Sequence, residues 1–284
     1  MGGKGHTAPA NKKTAGIPAV KREFMAKQLL IYEKAVPVTV KKHGNVSIKA
    51  GTDYGFAKNV NSVPLLASEF DLSSTEYAIV FSGEGKDVMP AALLGIRDQE
   101  NLYIDDSGIW NAKYIPAFVR RYPFVFSTQD KNTFNLCIDE DFPGVNRKGI
   151  GERLFDAEGE RTQYLQSVLG FLQAFQAQFE ATRAFCRRLV DLNLLEAMQA
   201  QFRLRSGQRI ALGGFMAVNR NRLRALAGDA LARLAATGDL DLIYAHLHSQ
   251  RNFTPTAERV ARLLDPAQTA AAPAPEKVAA TADG

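Results

Sequence analysis

The 284-residue chain has too little cysteine to be organised by it. Its two thiols, Cys137 and Cys186, build no disulfide framework and lack metal-ligand spacing. Both are expected as buried thiols of a reducing compartment, Cys137 in a strand and Cys186 on a helix. Histidine is almost as scarce. His6 falls in an N-terminal arm, His43 in a turn beside Gly44, and His246 with His248 on a helix, two apart, where they face nearly opposite ways and cannot share an ion. No metal and no cofactor is therefore expected. The sequence also has no Gly-x-Ser-x-Gly elbow, no His-Glu-x-x-His helix and no cysteine in a histidine setting, which leaves carboxylates as the one route to enzymatic chemistry.

Long apolar runs are missing as well. A membrane span needs about 18 consecutive apolar residues, and the most apolar stretch, 165–195, is interrupted by Gln, Arg and Glu. Nothing before Met25 has the apolar core of a secretory signal. The expectation is a soluble protein of the cytoplasm, with Met1 and Met25 both open as the native start. Two glycine motifs fall short of nucleotide chemistry. Ser82-Gly83-Glu84-Gly85-Lys86-Asp87 has neither the spacing nor the following helix of a phosphate loop and reads as a hairpin loop. Gly149-Ile150-Gly151 has Leu154 where a dinucleotide fingerprint needs its third glycine, and reads as a connector.

The net charge of +5 comes from the beginning of the chain: residues 1–50 carry ten Lys or Arg against Glu23 and Glu33, which leaves the remainder at −3. The excess reads as a basic arm, and no nucleic-acid partner is expected.

What is present is ordinary globular composition, 46% apolar and 23% charged. The organisation expected is a disordered basic arm over 1–25, a globular region over 26–253 and a disordered Ala/Pro-rich tail over 266–284. Within the globular region, 26–148 is strand-rich and 152–253 helix-rich, together one compact α+β unit. Strands are expected at Gln28–Tyr32, Val36–Val40, Asn101–Ile104, Tyr122–Ser127 and Phe134–Ile138, and a hairpin from Tyr77–Phe81 and Ala91–Ile96. Asn111–Arg120 has helical spacing cut short by Pro116. From Thr162, a candidate N-cap, Leu165, Val168, Leu172, Phe175, Phe179, Thr182, Cys186 and Leu189 share one face of a long amphipathic helix. That face either packs on the protein's own sheet, the reading preferred here, or makes a homo-oligomer through residues 162–190. Beyond it, Phe202–Leu204 and Arg209–Val218 bracket Ser206-Gly207 as a hairpin, with Gly213-Gly214 marking a bulge and 210–218 read as a buried strand. Asn219 caps a helix carrying Leu223, Leu226, Ala230 and Leu234, and a last helix begins at Gly238-Asp239.

Asn101 to Phe126 holds the only tryptophan, three of the eight tyrosines and a paired arginine. Trp110, Tyr114, Arg120, Arg121 and Tyr122 combine aromatic rings with guanidinium groups, a composition that stacks on sugars or partner side chains. The competing reading has Trp110 and Tyr114 covering the edge of the core while the arginines pair with acids nearby. Asp105 and Asp106 are the candidate acid or base if the protein is an enzyme or small-molecule sensor acting on a glycan or peptide, although turn-forming carboxylates are common at such strand ends. Asp139-Glu140-Asp141 is the other acidic cluster.

Taken in order, VNSVPLLASEF at 60–70, EYAIVFSG at 76–83, PAALLGI at 90–96, ENLYIDDSGIWNAKYIPAFVRRYPF at 100–124, LFDAEGE at 154–160 and LIYAHLHS at 242–249 resemble the bacterial SapC family over about Gln28 to Phe253. The resemblance implies a protein associated with surface layers, the cell envelope or nutrient uptake, with no established reaction and with a protein partner. Similar proteins often carry a permease label, which the lack of any apolar run long enough to span a membrane contradicts. The combined expectation is a non-catalytic binding or structural accessory protein using the Trp110–Tyr122 surface.

Overall fold

A computed structural model describes residues 30–49, 51–130, 133–203 and 209–264. The arm at 1–25, the tail at 266–284 and the Ser206-Gly207 turn lie outside them. Elements alternate irregularly, strands dominating before residue 153 and helices after 163, an α+β arrangement.

Among the described residues three small sheets form. The first has the order β1 (Ala35–Pro37), β7 (Thr133–Asp139), β6 (Phe124–Asp130). The second flanks β2 (Ser47–Ile48) with β8 (Val145–Asn146) and β9 (Glu152–Arg153). The third and largest runs β10 (Leu195–Arg203), β11 (Arg209–Val218), β4 (Ile79–Ser82), β5 (Met89–Leu93), β3 (Ser62–Pro64). Among the described residues the strand pairings are antiparallel. The hairpin expected at 77–96 is there as β4–β5, and the strands expected at Tyr122–Ser127 and Phe134–Ile138 pair as β6–β7.

The long helix begins where its cap predicts. Thr162 is extended and its Oγ1 accepts from the Leu165 amide at 3.3 Å, which opens α4 (Gln163–Asp191). At 29 residues it is about 43 Å long. Seven of the eight stripe residues are buried and Val168 is half-buried. The stripe is covered from within the chain by two different cores. Leu165 and Leu172 join Val46, Ile48, Phe124 and Ile138, whereas Phe175, Phe179, Phe185 and Leu189 join Phe70, Phe81 and Tyr77. Thr182, polar in an apolar seam, donates to the Gln178 carbonyl at 2.7 Å and accepts from the Ala67 amide at 2.9 Å, so its hydroxyl is satisfied at no exposure.

The remaining helices are α1 (Val40–His43), α2 (Phe70–Ser73), α3 (Ala117–Arg120), α5 (Arg220–Arg224), α6 (Gly228–Ala236), α7 (Asp239–Ser249) and α8 (Phe253–Leu264). Asn219 caps α5 through Oδ1, which accepts from Asn221 and Arg222 amides at 2.9 Å. The single helix expected after it is broken before Gly228 into α5 and α6. Helix α8 carries the fold past residue 253, with Val260 buried in the main core.

Several expectations are corrected. Leu30 and Ile31 form a turn rather than a strand, and Val40 opens α1 instead of ending β1, because Thr39 accepts the Lys42 amide as an N-cap. Residues 101–104 make only an isolated bridge, Ile104 to Trp110. Helix α3 shrinks to four residues because Pro116 becomes its N-cap. The later hairpin begins seven residues earlier than Phe202, at Leu195, and Gly213 and Gly214 oppose Gln199 alone, with Gly214 at φ +77°. Over residues 211–218 of β11, Phe215, Ala217 and Val218 are buried and the others are half-buried or exposed. The basic excess is not confined to an arm either, since Lys34, Lys41, Lys42 and Lys49 lie in or beside β1, α1 and β2.

His246, wholly buried in the core, is a titrating group displaced within the range where the protein can be studied. Its Nε2 accepts from the Val218 amide at 3.1 Å, its ring lies 4.9 Å from Phe81, and burial pulls its pKa from 6.5 down to about 4. The unfolded chain then takes up a proton near pH 6.5 that the folded chain refuses until about pH 4. Stability is therefore complete above pH 6.5 and falls through that interval, by about 3 kcal/mol from this group. Urea midpoints measured from pH 7.5 to 4 should fall steeply for the wild type and more gently for His246→Gln; equal slopes would show that His246 is not the group responsible.

Candidate functional site

The aromatic run is built around its turns. Asn101 is buried; its Nδ2 donates to the Ala57 carbonyl at 3.0 Å and its Oδ1 accepts from the Tyr103 amide at 3.0 Å. Tyr103 donates to the Glu76 carbonyl at 2.9 Å, and the Arg259 guanidinium from α8 lies 4.3 Å from its ring centroid. Asp105 folds the next turn. Its Oδ1 accepts from the Ser107 and Ile109 amides at 2.9 and 3.0 Å and its Oδ2 from Asn111 at 3.2 Å, and these bonds hold its carboxyl below the usual range. Asp106 is fully exposed and pairs with Lys58 at 3.0 Å.

Trp110 points inward, 6% exposed, edge-on to Tyr54 at 5.8 Å. Its Nε1 donates to the Tyr77 hydroxyl at 2.9 Å, which in turn donates to the Tyr114 carbonyl. Tyr114 is half-buried and its hydroxyl donates to Glu69 at 2.7 Å; burial first, then Glu69, pushes its pKa up to about 12. Arg121 is 4% exposed, with its guanidinium 4.3 Å from the Phe118 centroid and 4.9 Å from that of Phe175 on α4. Tyr122 stacks on Phe56 at 4.0 Å, and burial followed by the Asp139 carboxylate beside it raises its pKa. Arg120 alone of the central five is exposed, resting over Tyr114 and Phe171.

The seven residues singled out by the sequence are thus divided. Trp110 and Arg121 sit in the core, Tyr114 and Tyr122 bridge to it, and Arg120 and Asp106 face solvent on separate supports. Asp105 spends its oxygens on its own turn and does not converge with the rings.

A concave surface lies elsewhere, under the β10–β11 hairpin. A groove of about 540 Å³ is lined by Met198, Phe215 and Ala217 from the hairpin, Leu247 from α7 and Phe253 from α8. Glu196, Asn219 and Arg220 rim it. Strand β10 ends the largest sheet, and among the described residues no strand pairs with its outer edge. No residue of the 101–126 run lines this groove.

The family model described as SapC matches residues 38–255. The chain belongs to the SapC family. No curated protein and no solved structure matches it. Within this SapC chain the aromatic run serves the interior, knitting the 54–58 turn, residues 76–77 before β4, α4 and α8 together through side-chain hydrogen bonds and ring contacts. Among the described residues no helix is long and apolar enough to cross a membrane, and no set of three His, Cys, Asp or Glu gathers as a metal site. Cys137 and Cys186 are both buried, the Cys186 thiol pushed up to about 12 by burial.

Sequence reasoning missed Glu69 and the hairpin groove. Glu69 had one local signal, an acid three residues after Leu66 at a helix start, which is half of a capping box. The groove had none, because Met198, Phe215, Leu247 and Phe253 converge only through tertiary packing.

Proposed function

We propose that the chain is a non-catalytic binding protein whose partner adds an extended apolar segment to β10 and sets its side chains into the groove beneath the hairpin. The observation that carries this reading is the nine-residue edge of β10 beside an apolar trough. An unpaired strand edge offers a row of backbone donors and acceptors, and pockets for alternate side chains supply selectivity. Met198, 42% exposed, is the apolar side chain that such a segment would cover first. Envelope and nutrient-uptake components, the setting implied by the resemblance, are the partners to screen first.

A photo-crosslinking residue placed at 198 in cells should join the chain to one partner through a contiguous extended segment of that partner, and Ala200→Glu should abolish the product. The same residue at Tyr244, an exposed site on α7 outside the groove, should give no such product. An identical adduct from both positions, or none from 198, would overturn the reading.

A further inference from the structure

A second cavity, of about 710 Å³, lies where α1 meets the β8-β2-β9 sheet, and its chemistry differs from that of the hairpin groove. Lys49, Arg147 and Lys148 line it against a single carboxylate, Glu140. That carboxylate is already balanced: Lys42 lies 2.7 Å and Lys34 3.5 Å from its oxygens. The cationic lining is therefore in surplus.

His43 forms part of the lining and is 1% exposed. Its Nδ1 accepts from the Thr39 amide at 3.1 Å, so the ring proton resides on Nε2. Nε2 lies 3.4 Å from Glu140 yet has no hydrogen-bond partner. A buried donor of this kind costs free energy unless something accepts from it. Burial lowers the His43 pKa, so the ring is a neutral donor at physiological pH.

The cavity is preformed. Asn146 fixes its wall, accepting from the Lys148 and Ile150 amides at 3.1 Å and donating to the Ser47, Gly144 and Ile150 carbonyls. Arg147 is anchored on the Lys42 carbonyl at 2.9 Å and on Asn45. The wall closes on β2 because Gly144 and Gly151 have no side chain: a Cβ at either would come within 2.4 Å of the Lys49 or 2.2 Å of the Ile48 carbonyl oxygen. Val145 and Ile150, the latter 49% exposed, add an apolar patch to the lining.

We propose that this cavity binds an anionic small molecule of sugar-phosphate or uronate size, its phosphate or carboxylate held by Lys49, Arg147 and Lys148 and its carrier resting on Val145 and Ile150. The volume falls within the ~300–1,000 Å³ of small-molecule sites, room for an acidic group with its carrier attached. The cavity shares no lining residue with the hairpin groove.

Calorimetric titration of the full chain with glucose 6-phosphate, glucuronate and glucose tests it. Binding is expected for at least one of the acidic sugars and not for glucose, and it should weaken as salt is raised. The relative affinity for the first two identifies phosphate or carboxylate as the preferred group. Lys49→Glu combined with Lys148→Glu changes two exposed side chains and should weaken binding roughly tenfold or more while leaving the urea midpoint in place. In ¹⁵N spectra the His43 Nε2 proton should move on addition of the ligand that binds. Absence of binding by both acidic sugars at millimolar concentration, or binding that ignores the double charge reversal, overturns the proposal.

Discussion

Glu69→Ala is expected to remove about 3–5 kcal/mol of stability, because it strips the acceptor from three donors at about 1–3 kcal/mol for each one left buried and unsatisfied. Glu69 is 4% exposed and serves three donors, with Oε1 accepting from the Tyr114 hydroxyl and the Ala117 amide, both at 2.7 Å, and Oε2 from the Leu66 amide at 2.8 Å. Those donors start two separate elements, the turn before α2 and helix α3. Alanine would leave all three unsatisfied in an apolar setting. Glu69→Gln keeps one carbonyl oxygen but turns an NH₂ group towards at least one donor, so it should lose about half as much. Urea unfolding followed by circular dichroism gives the measurement, and a loss below about 1 kcal/mol for the alanine variant would mean that water or a neighbouring acceptor replaces the carboxylate.

Trp110→Ala should be comparably damaging, about 3–5 kcal/mol, as for other large aromatic truncations in a core. The loss combines the cavity beside Tyr54 with removal of the donor to Tyr77, whose hydroxyl links Trp110 to the Tyr114 backbone. Trp110→Phe restores most of the apolar volume without the N–H and should recover more than half of the difference. Because Trp110 is the sole tryptophan, the variants must be followed by circular dichroism, while in the wild type its fluorescence reports unfolding of the core directly. A variant that keeps wild-type stability would mean that the neighbouring side chains close the cavity and another donor serves Tyr77.

The density of rings and charges at 101–126 correctly marked an unusual segment, but composition does not separate an interior knot from a contact face. The separation depends on direction, and direction here is set by distant residues: Tyr77 and Glu69 turn Trp110 and Tyr114 inward, and Phe175 of α4 covers Arg121. Helix α4 was legible because its information is local, a Thr162 cap and a three-four spacing of apolar residues. The β4–β5 hairpin was legible for the same reason. Strand β10 was placed too late in the sequence because Leu195–Gln201 mixes Ala, Met, Gln and Glu, and acquires strand geometry from pairing with β11. The His43 cavity stayed hidden because α1 and the 143–150 loop lie about a hundred residues apart.

The order of the largest sheet bears on how the chain folds as it is made. Strand β4, complete by residue 82, sits between β5 and β11, which begins at residue 209. Its flank is finished later still: the Ile79 amide donates to Ser249, and Asn252 donates to the Ser74 and Tyr77 carbonyls, across sequence separations of 170, 178 and 175. At about 5–20 residues per second, a ribosome takes roughly ten to thirty seconds to supply those partners. Until β11 is made, the apolar β4–β5 hairpin has the β4 edge open to pairing with other strands, and its flank stays uncovered until the C-terminal helices emerge.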